Sequence, residues 1–258
     1  MLEDMVKKIR IGTVSYLNAR PLLYDYDRHA SIDVIKKNPA RLSYLLSDGK
    51  IDIGLVPVVE VFKYHYQVCP RVSLSSKGQC MSVRCFYRSR ISNIKKVLVT
   101  KESHSSVALL KILFMNFYGM YPMIIPKFGL ETMKPTDDTA ILLIGDKCIK
   151  YSLDCKERFF DLSEVWHNWT GLPFVFALWA SPKEINNDIQ EFLVESKFKG
   201  LKQIDTIVNR YNGNIPKPVL YEYLHHQMNY HLGPDENKGM RLFRSYYMKL
   251  NEYEFKQG

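Results

Sequence analysis

Apolar residues follow two spacings along the chain: short runs rich in β-branched and aromatic residues, typical of buried strands, and longer helical repeats. Helical spacing is clearest at 105–117, where apolar side chains recur on one face. A strand, a helix and a strand follow one another between residues 9 and 56, which predicts a βαβ unit and a parallel sheet in an α/β fold. The strand-like runs lie at 9–14, 51–56, 81–87, 97–100, 124–125, 140–144 and 174–180.

Capping residues mark where two helices are expected to begin. Residues 38–49 predict a complete helix, because Asn38 is a good N-cap, Pro39 suits the first turn and Gly49 suits the position after the last turn. The sequence Ser181-Pro182-Lys183-Glu184 predicts a second helix start with Ser181 as its N-cap. The chain then continues as predicted helices, broken near Gly200, at 212–214 and at 233–234.

Composition narrows the class of partner and the compartment. The chain has 258 residues, of which 46% are hydrophobic, and a formal charge of +9. Its Lys and Arg residues are scattered and not interleaved with aromatics, so a small anionic substrate fits better than nucleic acid. No apolar run approaches the ~20 residues of a membrane span. The N-terminus lacks a secretory apolar segment, and the 5 cysteines lack zinc-type spacing. We therefore expect a cytoplasmic protein that binds no membrane.

Two polar turns after predicted strands are candidate anion sites. The turn from Ser15 to Asn18 follows the first strand, and loops at the carboxyl ends of strands hold small ligands in α/β sheets. Equally, Ser15 or Asn18 would cap an ordinary turn. Ser103, Ser105 and Ser106 open the helix after strand 97–100, where free N–H groups and the helix dipole favour an anion. The alternative is that one serine is the N-cap and the others are solvated.

Two further turns complete the candidate polar groups. Gly145 and Asp146 close strand 140–144, and Asp146 either lines a cleft or caps the next short helix. Thr170 and Gly171 precede strand 174–180 and are expected to supply backbone donors. The sequence carries no phosphate loop, dinucleotide fingerprint, HExxH pattern or nucleophile elbow. We therefore predict no metal and no cofactor.

Five blocks, in order, resemble one known family and together span nearly the whole chain. They lie at 14–22, 51–57, 105–110, 142–146 and 169–177. The sequence is similar to the chorismate dehydratase family, which acts first in the futalosine route to menaquinone. The resemblance implies a two-lobed fold of the type II periplasmic-binding-protein kind, with the ligand in the cleft between lobes. One lobe would comprise 1–84 and 179–258, and the inserted lobe 85–178.

The resemblance also implies roles for particular residues. Asn18 and Ser82 match family residues implicated in catalysis, and the polar turns described above would bind substrate. A family arginine is expected near His104, so the charge beside a bound carboxylate stays open. The implied reaction is that of a hydro-lyase, which removes water from chorismate, a dicarboxylate, to give 3-[(1-carboxyvinyl)oxy]benzoate. The substrate's own enolpyruvyl carboxylate is the implied base.

Two other functions remain open at the level of sequence. The related 1,4-dihydroxy-6-naphthoate synthase of the same pathway shares the implied fold, although the turn from Ser15 to Asn18 argues against it. A cytosolic binder or sensor of a small carboxylate, without turnover, would use the same architecture. The oligomeric state and the extent of lobe closure do not follow from the sequence.

Overall fold

The computed structural model describes residues 8–26, 29–100 and 103–257, which form two β-sheets. Residues 1–7, where no secretory signal is predicted, and Lys101 and Glu102, which precede the predicted serine turn, lie outside the described residues. The strands in chain order are β1 (Ile9–Thr13), β2 (Ile32–Lys36), β3 (Ile53–Pro57), β4 (Gln67–Val68), β5 (Leu74–Ser76), β6 (Val83–Tyr87), β7 (Lys96–Val99), β8 (Met123–Pro126), β9 (Thr139–Ile144), β10 (Arg158–Asp161) and β11 (Phe174–Ser181).

The first sheet has the strand order β2-β1-β3-β11-β4, with β5 also paired to β11. Strand β1 runs parallel to both β2 and β3, which confirms the predicted parallel βαβ unit. Strand β11 returns antiparallel to β3, β4 and β5. Every residue of β3 is buried, as expected for an apolar run inside a sheet covered on both faces.

The second sheet has the order β10-β6-β9-β7-β8 and is built from the middle of the chain. Strands β7, β8 and β9 are parallel, whereas β6 pairs antiparallel with both β9 and β10. The chain crosses from the first sheet after β5 and returns to it through β11. We call each sheet with its own helices a lobe. The predicted lobe boundary after residue 178 falls inside β11, which pairs with the first sheet.

The helices surround both sheets. In chain order they are α1 (Pro39–Ser47), α2 (Val58–Tyr64), α3 (His104–Ile112), α4 (Gly145–Asp154), α5 (Leu162–Thr170), α6 (Asn187–Leu201), α7 (Ile204–Asn209), α8 (Lys217–Glu222) and α9 (Pro234–Gln257). Helix α3 continues into a π-helical turn at Leu113–Phe117, and α8 continues into another at Tyr223–Gln227. Among the described residues, none of the helices has the length and apolar character needed to cross a membrane.

Capping chemistry explains where the predicted helix starts hold and where one fails. Helix α1 begins as predicted, because the Asn38 side chain accepts a hydrogen bond from the Arg41 N–H. The predicted start at Ser181 is wrong. The Ser181 hydroxyl instead accepts the Lys183 N–H in a bend, and α6 begins after Asn186, whose side chain accepts the Ile189 N–H.

The segment after β1 is a 3₁₀ helix, Leu17–Leu23, that contains Pro21. A proline inside a helix removes one backbone donor, which favours a short, irregular turn over a regular α-helix. This 3₁₀ helix packs against α6 at Gly200, where an added Cβ would lie 1.8 Å from the Pro21 carbonyl oxygen. The helix break predicted near Gly200 lies close to the end of α6 at Leu201. Within the structure, Gly200 allows α6 to pack closely against the 3₁₀ helix, where a side chain would not fit.

Two large apolar cores stabilise the molecule. The first surrounds the first sheet and includes side chains from α1 and from α6 to α8. The second joins α3, α5 and the second sheet to α2, β11 and α9. Helix α9 thus contacts both lobes, since it packs against α2 and β11 on one side and α3 on the other. Helices α6 to α8 pack on the first lobe, as the predicted lobe boundaries imply. Helix α9 packs on the first lobe and also on α3 of the second.

Candidate functional site

A cavity with about 70 Å³ of free space lies where the two lobes face each other. The polar side chains that line it come from both lobes, and they are Tyr16, Asn18, Ser82, Ser103, Ser105 and Ser106. The apolar part of the wall includes Val14, Leu55, Leu74, Val83, Ile144 and Phe176. The cavity therefore combines an apolar body with a few converging polar groups.

Asn18 enters the cavity from the start of the 3₁₀ helix that follows β1. Its side-chain oxygen is buried and has no hydrogen-bond partner among the described residues. An unpartnered buried amide oxygen is costly, because it has given up water without gaining a replacement donor. A ligand that donates a hydrogen bond at this point would satisfy it, and the amide nitrogen offers a donor beside it.

Ser82 lies on the opposite lobe, at the start of β6, and is almost fully buried. The residue before it, Met81, has a positive φ of 59°, a conformation that non-glycine residues rarely adopt. Two bonds hold this turn: the Ser82 N–H donates to the Cys80 carbonyl at 2.6 Å, and the Gly145 N–H donates to the Ser82 carbonyl at 2.7 Å. Ser82 is therefore presented by a strained, tightly fixed turn.

Asp161 is a residue of this site that the sequence analysis missed. Its carboxylate accepts the Met81 N–H at 2.8 Å and the Cys80 N–H at 3.2 Å, and it lies 3.4 Å from Arg84 Nε. It also caps α5 by accepting the Ser163 N–H. Burial raises the pKa of Asp161, while Arg84 and the N–H donors favour its anion. The pattern of Asp161 followed three residues later by Glu164 is a recognisable cap signal.

The serine turn occupies the start of α3. Ser103 is the N-cap residue but makes no capping bond; its hydroxyl donates to Ser106 Oγ at 2.8 Å instead. The Ser105 hydroxyl accepts the Val59 N–H at 3.5 Å across the lobes. A serine thus occupies the N-cap position, as one alternative predicted, but its side chain does not make the capping hydrogen bond. Ser103 does not cap the first N–H groups of α3, and the three serines at this helix start line the cavity.

His104, where a family arginine was expected, is paired with a carboxylate of the other lobe. Its Nδ1 lies 2.5 Å from Glu60 Oε1 on α2. Glu60 is buried, whereas about half of the His104 side chain is exposed. Neither residue is among those that line the cavity. His104 therefore ties the start of α3 to α2 and contributes no side chain to the cavity wall.

Three further predicted residues, Gly145, Asp146 and Ser15, differ in their position relative to the cavity. Gly145 lines the cavity, and the adjacent Asp146 accepts the Leu17 N–H at 3.1 Å from the other lobe. Asp146 therefore caps the 3₁₀ helix of the other lobe across the cleft, whereas one of the two predicted alternatives was a cap on its own helix, α4. Burial raises the pKa of the Asp146 carboxyl, although the Leu17 N–H and Arg20 favour the charged form. Ser15 is exposed and lies outside the lining residues.

Thr170 and Gly171 are not brought to the cavity. The Thr170 hydroxyl donates to the Trp166 carbonyl at 2.8 Å and accepts the Leu172 N–H, while the Gly171 N–H donates to the His167 carbonyl. Their polar groups are used to end α5 and to start the turn into β11. Within the described part of the chain, no cluster of three or more His, Cys, Asp or Glu residues could hold a metal ion.

Comparisons of the sequence with known proteins give one family and named relatives. A family model described as menaquinone biosynthesis matches residues 9–249. The chain is 29% identical to a chorismate dehydratase of Thermus thermophilus over 254 residues, which cover 90% of this chain and 93% of that protein. It is 25% identical to a chorismate dehydratase of Campylobacter jejuni over 173 residues, or 64% of each chain.

Comparisons of the structure show the fold. A protein of Archaeoglobus fulgidus superposes with a TM-score of 0.75 at 14% identity, covering 95% of this chain and 98% of that one. A Candida albicans protein described as having the generic periplasmic binding protein fold gives 0.64 at 11% identity, covering 94% and 89%. The periplasmic aliphatic sulphonate binding protein of Escherichia coli gives 0.59 at 11% identity, covering 95% and 88%. The predicted two-lobed periplasmic-binding-protein-like fold is confirmed.

Proposed function

The chain belongs to the menaquinone biosynthesis family, and from that premise we propose that it is a chorismate dehydratase. In this proposal it removes water from chorismate to give 3-[(1-carboxyvinyl)oxy]benzoate, as a hydro-lyase of the futalosine pathway. The relatives of that name support the assignment. The proposal includes a cytoplasmic location, a small dicarboxylate as the substrate, and turnover without metal or cofactor.

One structural observation carries the proposal. Asn18 of the first lobe and Ser82 of the second line the same cavity as the N-terminal serines of α3. The two polar side chains are thus positioned to contact one ligand whose anionic end lies against the helix. A carboxylate at the start of α3 would meet backbone donors, serine hydroxyls and the positive end of the helix dipole. Chorismate is such a ligand, because its ring carries a carboxylate, a hydroxyl and a carboxylated ether.

The proposed reaction needs little from the protein beyond positioning and hydrogen bonding. The ring C–H bond beside the ether oxygen breaks, its electron pair forms a ring double bond, and the neighbouring C–O bond breaks. The hydroxide leaves and takes up the proton as water, and the product ring is aromatic. Negative charge that builds on the ring carboxylate would be stabilised by the serines and N–H groups of α3.

The cavity lining supports the proposal that the substrate supplies its own base. Tyr16 is the one titratable side chain among the described residues that line the cavity, which otherwise offers amide and hydroxyl groups. A phenol in its neutral form is a poor base. In the proposal the enolpyruvyl carboxylate takes the ring proton. Asn18 and Ser82 then orient the substrate and bind the departing hydroxyl, and such positioning can lower a barrier substantially.

The test is the reaction itself. Purified protein mixed with chorismate, without added cofactor, is expected to produce a new aromatic ultraviolet absorber with the mass of chorismate less one water. The same activity is expected after exhaustive treatment with a chelator. The Asn18→Ala variant serves as the matched control for contaminating activity, because it should bind the same column and lose the product.

Three outcomes would contradict the proposal in different ways. Saturable chorismate binding without product would favour a sensor of small carboxylates. Failure to bind or convert chorismate, combined with formation of 1,4-dihydroxy-6-naphthoate from its own precursor, would favour the related synthase. Loss of turnover on chelation that a divalent ion restores would retain the dehydratase and remove the metal-free part of the proposal.

A further inference from the structure

The turn Gly145-Asp146 contacts both candidate catalytic segments, although they belong to different lobes. On its own lobe, the Gly145 N–H donates to the Ser82 carbonyl at 2.7 Å. Across the cleft, Asp146 Oδ1 accepts the Leu17 N–H at 3.1 Å, and Leu17 immediately precedes Asn18. These two bonds, made by adjacent residues, link the backbone of Ser82 to the backbone next to Asn18.

Gly145 allows this close approach. It has a φ of 61°, and an added Cβ would lie 3.2 Å from Cδ1 of the Tyr16 ring. A side chain at this position would therefore be strained in its backbone and crowded against Tyr16. The Tyr16 ring thus packs directly on the Gly145 backbone, which brings the carboxylate of the next residue within reach of the Leu17 N–H.

The Leu17 N–H belongs to a group of donors that a helix cannot satisfy by itself. The first N–H groups of a helix lack internal partners and are usually bonded by a side chain at the N-cap. Here the N-cap is Tyr16, which makes no side-chain capping bond. Asp146 replaces the missing cap from the other lobe. The start of the 3₁₀ helix, and with it the direction of Asn18, therefore depends on a residue of the second lobe.

The bond from Leu17 to Asp146 differs from the second contact between the lobes beside the cavity, which lies near the serines of α3. Near the serines, α2 and α9 pack on α3 and α5 through a continuous apolar core, and α2 also bonds to α3 between Val59 and Ser105 and between Glu60 and His104. Near Asn18, the Leu17 N–H donates to Asp146 of the other lobe. Hydrophobic packing has no directional preference between particular atoms, whereas a hydrogen bond between defined atoms constrains their orientation.

We propose that Asp146 is a positioning residue for the dehydration: it caps the 3₁₀ helix across the cleft and so sets the orientation of Asn18 relative to Ser82. This inference rests on the proposed function for its kinetic consequence, but the hydrogen bond it invokes does not. Asp146 would act through Leu17 and Asn18 and would transfer no proton. The necessary property is an acceptor oxygen at this place, and the negative charge is dispensable.

Two substitutions separate an acceptor from a charge. Asp146→Asn keeps an oxygen that can accept the Leu17 N–H, whereas Asp146→Ala removes it. Asp146→Ala is expected to lower kcat about 10- to 100-fold, the range that a displacement near 1 Å can cause, with KM changed less than about threefold. Asp146→Asn is expected to retain kcat within about threefold of the unmodified protein. Asp154→Ala, which removes an exposed carboxylate from the same helix, is the matched control and should leave both constants unchanged.

A substrate-free measurement tests the hydrogen bond directly. Hydrogen–deuterium exchange of a peptide containing Leu17 is expected to be faster in Asp146→Ala, and unchanged in Asp146→Asn and Asp154→Ala. Thermal unfolding of each variant shows whether the fold is intact. If Asp146→Ala does not fold, Asp146→Asn still decides, because full activity with normal exchange supports the acceptor role and a large loss of kcat overturns it.

The outcomes also separate this inference from the proposed function. Equal losses in Asp146→Asn and Asp146→Ala would indicate that the charge or a proton transfer matters, and would overturn the positioning role. Unchanged kcat in Asp146→Ala, or unchanged exchange at Leu17, would overturn it as well. If the unmodified protein does not convert chorismate while the exchange results hold, the dehydratase proposal fails and the cap across the cleft stands without a catalytic consequence.

Discussion

The two lobes meet at two contacts that differ in how much apolar packing they contain, although hydrogen bonds cross between the lobes at both. At the first, which we call the apolar interface, Phe243 of α9 lies with its ring centre 4.8 Å from Phe174 of β11, and 6.0 Å from both Phe62 of α2 and Trp166 of α5. At the second, which we call the polar contact, Asp146 caps the 3₁₀ helix of the other lobe. The cavity borders both contacts, because the serines at the start of α3 line it near the apolar interface and Tyr16 lines it near the polar contact.

The two contacts are expected to serve different purposes: the apolar interface stabilises the fold, and the polar contact orients residues next to the cavity. Aromatic side chains buried at the apolar interface remove a large area from water and make favourable edge-to-face contacts, so they stabilise the relative placement of the lobes. A single partly buried hydrogen bond contributes about 1 kcal/mol to stability, but it constrains particular atoms. We therefore expect substitutions at the apolar interface to affect unfolding and substitutions near the polar contact to affect turnover.

The largest expected effect lies at the apolar interface. Phe243→Ala should destabilise the protein by about 3–5 kcal/mol, because it leaves a cavity where Phe62, Trp166 and Phe174 meet. Denaturant unfolding measures this change. The control is Phe198→Ala on α6, where the exposed ring should matter by less than about 1 kcal/mol. Equal losses in the two variants would mean that the interface contributes no special stability.

The next effect lies beside the polar contact, at Asn18. Asn18→Ala should lower kcat about 100-fold, or ~3 kcal/mol of transition-state stabilisation, with little change in thermal unfolding. Asn18→Asp should be at least as damaging, because it places a negative charge beside a dianionic substrate and a departing hydroxide. Steady-state kinetics with chorismate measure both. Near-normal turnover by Asn18→Asp would show that Asn18 donates no hydrogen bond in the site.

The smallest effect is expected at the start of α3, the proposed anion site next to the apolar interface. Ser106→Ala should weaken substrate binding by about 1–2 kcal/mol, the contribution of a hydrogen bond to a charged group, with kcat less affected. Ser106→Asp should be worse, since it adds like charge at the start of α3. Ser245→Ala, on the exposed side of α9, is the matched control. KM values that stay unchanged in both Ser106 variants would place the carboxylate elsewhere.

Local signals in the sequence were sufficient where a single residue decides the structure. Asn38 caps α1 by the predicted bond, and the apolar run at 51–56 forms the fully buried β3. The same reasoning failed at Ser181, because a serine before a proline suits a bend as well as a helix start, and Asn186 provides the cap that the helix uses. The strongest cap signal that was passed over, Asp161 with Glu164, lies at the turn that presents Ser82.

The sequence by itself determined the α/β class, the family and the polar residues around which a site could form, because these follow from periodicity and from motifs within short stretches. Only the tertiary structure decided which of those residues meet. Asp146 serves a helix 129 positions away along the chain, and His104 bonds to Glu60 on the other lobe. Thr170 and Gly171 end a helix away from the cavity. Such contacts join donors and acceptors far apart in sequence, so no local pattern encodes them, and the packing of the two lobes has to bring them together.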